Sequence, residues 1–200
     1  MYNLGVLVSG GGTNLQAIID SIESGFLKNV KISVVISSNS KAYALVRCKK
    51  HNINYEIISK KQFSSQVDFE NKIINVLNEN KVDLVILAGF MTILSSHLIN
   101  AFKDRILNIH PSLLPKFGGK GYFGIKVHEK VLEAKEKITG ATVHFVTDEV
   151  DAGPIILQKS IPVLENDTPE TLQKRVLEEC EWKIYPEAIK KVIEELDRKK

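Results

Sequence analysis

The sequence LGVLVSGGGTNLQAII, residues 4–19, decides the fold, because a short apolar run passes through three glycines directly into a stripe of helical spacing. The run at residues 4–8 is typical of a strand that is buried on both faces. Leu15, Ile18, Ile19 and Ile22 recur at the spacing of one helix face, and Gly25 closes the stripe. A strand, a glycine turn and a helix in this order predict the first β-α unit of an α/β protein.

The same alternation continues along the chain, with apolar runs at residues 31–37, 54–58 and 83–88 and another helical stripe around Phe69 and Ile73. Residues 138–147 and 155–163 are predicted antiparallel neighbours, because the link between them is too short for a helical crossover. A last helix is predicted to begin near Thr168 and to be kinked or divided at Pro186. The sequence therefore predicts an α/β fold: a three-layer, Rossmann-like sheet, mostly parallel with a C-terminal antiparallel portion, with helices on both faces. Its length favours a single domain over residues 1–200.

Composition excludes several classes of function. The net charge of +3 is small and the basic residues are mixed with acids, so no nucleic-acid partner is expected. Cys48 and Cys180 are far apart and the five histidines lack metal-ligand spacing, which favours reduced thiols and no metal. The N-terminus has no charged leader region and its apolar run is too short to cross a bilayer, so we expect a cytoplasmic protein without a membrane partner.

The glycine loop SGGGTN, residues 9–14, is typical of an anion site, because backbone N–H groups can close around an anion at a helix N-terminus. No Lys follows the glycines, so this is not the ATP-binding P-loop, and Leu15 stands where a dinucleotide motif needs its last Gly. A small phosphate site remains, in which Thr13 and Asn14 add side-chain donors. The alternative is a plain tight turn with Thr or Asn as the helix N-cap.

The motif NIHPSLLP, residues 108–115, places an amide and an imidazole at the end of a predicted strand. Asn108 and His110 share a strand face, where together they can stabilise charge on a carbonyl oxygen. The alternative is a surface turn, which is where a His before a Pro usually lies. Loops that follow parallel strands share one sheet edge, so AGFM at residues 88–91 is expected beside both motifs. The turn DEVDAG, residues 148–153, can bring Asp151 to the same cleft.

Six motifs together closely resemble the phosphoribosylglycinamide formyltransferase family of purine biosynthesis over nearly the whole chain: SGGGTN, LAGFM, NIHPSLLP, TGATVHFV, VDAGPIILQ and IYP. HPSLLP and the Asp of VDAG are shared with other folate-dependent formyltransferases and with formyltetrahydrofolate hydrolase. SGGGTN is the discriminating motif, because in the glycinamide enzymes it holds the substrate phosphate. The resemblance implies formyl transfer from 10-formyltetrahydrofolate to the amine of glycinamide ribonucleotide (EC 2.1.2.2), by direct attack through a tetrahedral intermediate.

The resemblance also implies roles for individual residues. Asn108 and a protonated His110 would stabilise the oxyanion, while Asp151 would keep His110 charged and relay a proton. The residues matched to phosphate binding are Gly11, Gly12, Thr13 and Asn14, and the residue matched to ribose binding is Glu181. The residues matched to folate binding are Met91, Thr92, Ile93, Leu94, Leu98 and Asn108. A solvated helix carboxylate is the alternative for Glu181. His128 and His144 match recurrent histidines of the family and are interpreted as supporting or structural residues.

Several positions depart from the family pattern. Thr92 and Gln66 stand where relatives often have Arg, and Trp182 replaces a usual His. Residues 116–125, KFGGKGYFGI, form a longer glycine-rich loop, and the hypothesis from its glycine content is a mobile cover over the active site. The alternative is an ordinary exposed loop. The resemblance assigns the phosphate side to the N-terminal half and the folate and catalytic side to the C-terminal half.

Three rival functions remain open at this point. Formyltetrahydrofolate hydrolase uses the same three catalytic residues with water in place of the amine. A sugar-nucleotide amine formyltransferase and a catalytically silent nucleotide-phosphate binding module are the others. The expected partners are two small molecules, and without heptads or a large apolar stripe the chain is expected to be a monomer or a weak homodimer.

Overall fold

A computed structural model describes residues 1–198, which divide into a first compact unit, Met1–Asn108, and a second that begins at Ile109. The prediction of one domain over residues 1–200 stays a prediction, and residues 199 and 200 lie outside the described range. The first unit contains β1 (Tyr2–Val8), α1 (Thr13–Glu23), β2 (Val30–Ser37), α2 (Ala44–Lys50), β3 (Tyr55–Ile57), a 3₁₀ turn (Lys60–Gln62), α3 (Gln66–Glu79), β4 (Leu84–Leu87), α4 (Ser96–Ala101) and most of β5 (Ile106–His110).

The strands of the first unit are parallel and lie in the order β3-β2-β1-β4-β5. The chain moves outward through β1, β2 and β3 and then returns to place β4 on the other side of β1. Because crossovers between parallel strands are right-handed, this reversal puts α1 and α2 on one face and α3 and α4 on the other. Connections therefore part to opposite faces between β1 and β4, which is where α/β proteins bind ligands.

Burial explains why these segments form the elements predicted for them. The residues of β4 are all buried, as a strand covered by helices on both faces requires. Leu15 and Ile18 of α1 and Phe69 and Ile73 of α3 have no exposed surface. No helix among residues 1–198 has both the length and the apolar character that crossing a bilayer requires.

The second unit contains α5 (Ile125–Glu133), β6 (Ile138–Phe145), β7 (Ile155–Pro162), α6 (Pro169–Val176), a π turn (Leu177–Glu181) and α7 (Trp182–Asp197). β6 and β7 pair antiparallel, with Ile138 opposite Pro162, so the predicted change from parallel to antiparallel pairing is confirmed. The Thr168 hydroxyl caps α6 by accepting from the N–H of Thr171. Pro186 lies inside α7, and the helical irregularity comes earlier, at the π turn.

Candidate active site

The glycine loop lies at the carboxyl end of β1 and leads straight into α1. Gly12, the residue before α1, has φ 70°, and a Cβ atom there would stand 2.7 Å from the Cβ of Ala44, so only glycine fits. The interpretation of Thr13 or Asn14 as the N-cap is wrong, because Gly12 occupies that position without a side-chain cap. The first turn of α1 has no acidic residue. Its N–H groups therefore favour an anion.

The loops after β1 and β4 are joined by hydrogen bonds. The N–H of Ser9 donates to the carbonyl of Gly89 (3.1 Å), and the N–H of Met91 donates to the Ser9 hydroxyl (2.9 Å). The prediction that SGGGTN and AGFM share one sheet edge is therefore confirmed.

The residues matched to folate binding differ in exposure. Met91 and Ile93 are each 57% exposed and Thr92 is half-buried, so all three can offer side chains to a ligand. Leu94 and Leu98 are buried and pack inside the first unit. Large apolar side chains held at the surface next to a glycine loop are typical of a binding surface.

A buried carboxylate, which the sequence interpretation missed, holds the segment at residues 91–95 in place. Glu70 of α3 has no exposed surface and accepts hydrogen bonds from the N–H (2.7 Å) and hydroxyl (2.5 Å) of Ser95. The side-chain amide of Gln66 donates to Glu70 (2.6 Å) and lies 3.3 Å from the carbonyl of Ile93. One sign of this buried acid was available in the sequence: Glu70 follows Phe69 directly, on a helix whose buried residues are otherwise apolar.

Asn108 and His110 lie on β5, and Asn108 stands opposite Leu87 of β4. Their separation of two residues sends both side chains to one side of the strand. Asn108 is half-buried, whereas His110 is only 4% exposed. The structure therefore places the amide and the imidazole on the same strand, as the sequence predicted.

In the second unit, Asp151 lies beside His110, with Oδ2 3.4 Å from Nδ1 of the ring. Nε2 of His144 lies 3.6 Å from the other carboxylate oxygen. Asp151 has φ 56°, which a non-glycine residue adopts at a cost and which is typical of functional turns. Gly153 makes the turn possible, because a Cβ atom there would stand 1.8 Å from the carbonyl oxygen of Phe145.

The protonation of the pair follows from its contacts. Nε2 of His110 lies 2.7 Å from the carbonyl of Phe117, which can only accept, so Nε2 carries the proton. Burial lowers the pKa of His110, and the nearby carboxylate of Asp151 offsets this only in part. With its pKa lowered, the free ring carries little charge at pH 7. The protonated His110 expected during the reaction stays a prediction. Its Nε2–H remains a donor.

The carboxyl group of Asp151 keeps its charge despite its position. Burial raises its pKa, but a hydrogen bond from His144, the proximity of His110 and the N–H of Gly119 together outweigh burial and lower the pKa. Asp151 is thus an ionised carboxylate that can accept a proton at neutral pH.

The loop at residues 116–125 contacts both members of the pair. Its Phe117 carbonyl accepts from His110, and its Gly119 N–H donates to Oδ2 of Asp151 at 3.0 Å. The Ser112 hydroxyl donates to the carbonyl of Lys116 (2.7 Å) and anchors the start of the loop. The loop therefore covers the pair, while its mobility stays a prediction.

His128 of α5 gives a test of stability against pH. The side chain is fully buried, neither ring nitrogen has a partner among residues 1–198, and burial together with the nearby His110 lowers its pKa to about 4. Above pH 6.5 His128 is neutral in the folded and unfolded chain alike. As the pH falls from 6.5 towards 4, the unfolded chain binds a proton that the folded chain does not, so the free energy of unfolding falls by up to about 3 kcal/mol.

The measurement for His128 is urea unfolding at pH 7 and pH 4.5 of the wild type and of His128→Leu. We expect the wild type to lose more stability between these pH values than the variant. Equal losses would contradict the assignment.

Glu181 lies in the π turn and is 7% exposed, so its interpretation as a solvated helix carboxylate is wrong. Trp182 follows as the first residue of α7. A buried carboxylate in a π turn between two α-helices can accept hydrogen bonds from hydroxyl groups.

Comparison with known proteins identifies the family of the chain. The family model described as "Formyl transferase" matches residues 2–189. The chain is 43% identical to a phosphoribosylglycinamide formyltransferase of Haemophilus influenzae over 95% of this chain and 86% of that protein. It is also 43% identical to the human trifunctional purine biosynthetic protein adenosine-3, covering 94% of this chain but 18% of that longer protein.

A solved structure gives the same result. The crystal structure of glycinamide ribonucleotide transformylase 1 from Symbiobacterium toebii superposes with a TM-score of 0.89 at 45% identity, covering 95% of this chain and 86% of that chain. This agreement confirms the predicted Rossmann-like fold class. On the family match over most of its length and on these relatives, the chain belongs to the formyl transferase family.

Proposed function

We propose that this enzyme transfers the formyl group of 10-formyltetrahydrofolate to the amine of glycinamide ribonucleotide in purine biosynthesis. The observation that carries the proposal is the ionised Asp151 lying 3.4 Å from His110 at the end of β5. The 43% identity to a protein named phosphoribosylglycinamide formyltransferase supports the choice of acceptor. The two small molecules are substrates, and the reaction requires no metal.

The chemistry needs a stabilised oxyanion. The amine attacks the formyl carbon, a C–N bond forms, and the carbonyl oxygen becomes negatively charged. Asn108 and the Nε2–H of His110 donate hydrogen bonds to this oxygen, and a neutral imidazole is sufficient for that role. For this, His110 exchanges the Phe117 carbonyl for the formyl oxygen.

Asp151 completes the proton transfer. The attacking nitrogen becomes acidic as the new bond forms, and Asp151 accepts its proton directly or through one water. The tetrahedral intermediate then collapses, the bond from carbon to the folate nitrogen breaks, and that nitrogen takes up the proton that Asp151 returns, directly or through one water. The formyl group ends on the amine.

Binding of the two substrates is divided among separate segments. The N–H groups of Gly11 and Gly12 and the side chains of Thr13 and Asn14 hold the phosphate, and Glu181 binds ribose hydroxyls. Met91, Thr92 and Ile93 contact the pterin, Leu94 and Leu98 support them from the core, and Asn108 of β5 also contacts the folate.

One assay tests the function. Purified enzyme is mixed with 10-formyltetrahydrofolate, with and without glycinamide ribonucleotide, and formylated product and tetrahydrofolate are measured together. We expect both to appear in equal amounts only when the ribonucleotide is present. Consumption of 10-formyltetrahydrofolate without the ribonucleotide would instead identify a hydrolase.

The compartment, domain organisation and oligomeric state of the enzyme are also proposed. We propose a cytoplasmic enzyme whose whole chain acts as one formyltransferase domain, as a monomer or weak homodimer. Cys48 and Cys180 are both free and buried, and burial raises the pKa of each thiol to about 11, which suits unreactive thiols in a reducing compartment.

A further inference from the structure

We propose that Arg47 of α2 is a positioning residue for the phosphate loop. It orients the peptide between Gly11 and Gly12 so that the N–H of Gly12 faces the substrate phosphate. The inference rests on the proposed function, because it assumes that this loop binds the phosphate of the acceptor. No motif in the sequence points to Arg47, which lies 36 residues beyond the carbonyl that it contacts.

Two consecutive carbonyls of the loop face α2. The Gly10 carbonyl accepts from the N–H of Ala44 (3.1 Å), and the Gly11 carbonyl accepts from Nε of Arg47 (2.9 Å). The second of these bonds is made to a charged donor, which is stronger than a neutral hydrogen bond. The loop is therefore held to α2 along its carbonyl side.

Peptide geometry fixes where the other side of the loop points. Both peptide bonds are trans, and in a trans peptide the C=O of one residue and the N–H of the next point in opposite directions. Because the carbonyls of Gly10 and Gly11 point to α2, the N–H groups of Gly11 and Gly12 point away from it. Neither N–H has a hydrogen-bond acceptor among residues 1–198, so both can bind an anion.

Arg47 is itself held in place. Its Nη1 donates to the side-chain oxygen of Gln16 on α1 (3.0 Å), and its guanidinium group lies 5.1 Å from the ring centre of Tyr43. The side-chain amide of Gln16 donates in turn to Asp20 (2.8 Å). The planar guanidinium thus bridges the loop and α1, which the single ammonium group of a Lys cannot reproduce.

Removal of Arg47 should weaken binding of the acceptor rather than the chemical step. We expect Arg47→Ala to raise the KM for glycinamide ribonucleotide roughly 10-fold to 150-fold, because a hydrogen bond to a charged group contributes about 1.5–3 kcal/mol and each 1.4 kcal/mol is a factor of about ten. The kcat and the KM for 10-formyltetrahydrofolate should change by less than about threefold. Arg47→Lys should give a smaller increase, of roughly threefold to tenfold.

A second measurement detects phosphate binding to the loop without catalysis. Inorganic phosphate is titrated into ¹⁵N-labelled enzyme, and the amide resonances of Gly11 and Gly12 are followed by NMR. In the wild type both resonances should shift with phosphate. In Arg47→Ala the same shifts should need at least about tenfold more phosphate. This readout also serves if Arg47→Ala turns over too slowly for kinetics, and Arg47→Lys serves if Arg47→Ala does not fold.

Lys49→Ala is the matched control, because Lys49 is exposed on the same helix and its loss changes the net charge equally. The control should leave the KM for the ribonucleotide within about twofold of wild type. If Lys49→Ala weakens binding as much as Arg47→Ala, or if Arg47→Ala leaves both the KM and the phosphate titration unchanged, the positioning role is overturned. If the wild type binds phosphate at these amides but forms no formylated ribonucleotide, the proposed function fails while the role of Arg47 stands.

Discussion

Asp151→Asn is expected to lower kcat roughly 100-fold to 10,000-fold, because it removes the base that accepts the proton of the attacking amine. The replacement keeps nearly the same shape, and its side-chain oxygen can still accept from the N–H of Gly119 (3.0 Å in the wild type). The loss should therefore fall on kcat, while the KM of each substrate changes only a few-fold. The measurement is steady-state formyl transfer with both substrates varied.

Asp148→Asn is the control for this prediction, since Asp148 is an exposed acid in the same turn. Its rate should remain within about twofold of wild type, because an exposed charge contributes little. An Asp151→Asn enzyme within a few-fold of wild type would refute the assignment of Asp151 as the proton acceptor.

Gly12→Ala is expected to lower kcat/KM for glycinamide ribonucleotide by roughly 150-fold or more, because two hydrogen bonds to the phosphate are lost at about 1.5–3 kcal/mol each. The new methyl group would stand 2.7 Å from the Cβ of Ala44 and 2.9 Å from its Cα, so the loop and α2 must separate. The hydrogen bonds that α2 makes to the loop carbonyls would then break. The KM for 10-formyltetrahydrofolate, measured in the same assay, should change little.

Gly25→Ala separates conformational strain from the loss of the site. Gly25 has φ 76°, close to the 70° of Gly12, but an added Cβ meets no atom within 4 Å. Both variants should lose about 1 kcal/mol of stability from the left-handed backbone, and only Gly12→Ala should lose affinity for the ribonucleotide. Equal kinetic losses in the two variants would show that strain alone accounts for the effect.

The elements that could be predicted from the sequence are those that depend on the pattern of neighbouring residues. Continuous apolar runs such as LVIL predicted strands buried on both faces, and the short link after residue 147 predicted antiparallel pairing; both are confirmed. Asn108 and His110 could be placed on one strand face because alternation along a strand is a local property.

The features that could not be predicted depend on contacts between distant segments. Glu70 gave no local sign that its carboxylate holds Ser95, which lies 25 residues further along the chain. The lowered pKa of His110 follows from burial, which a sequence does not display. The alternative of a solvated Glu181 also fails for this reason, because the burial of this residue at the end of the π turn shows only in the folded structure.

The contacts of the loop at residues 116–125 define which polar groups an inhibitor must provide. Phe117 gives His110 an acceptor and Gly119 gives Asp151 a donor, so the loop offers the polarity of a carbonyl oxygen and of an N–H group. A compound that displaces the loop but lacks the acceptor leaves the buried Nε2–H of His110 without its partner, at a cost of about 1–3 kcal/mol. A compound that lacks the donor removes one of the hydrogen bonds that Asp151 accepts. The minimal pharmacophore for these two residues is therefore one carbonyl-type acceptor paired with one N–H donor.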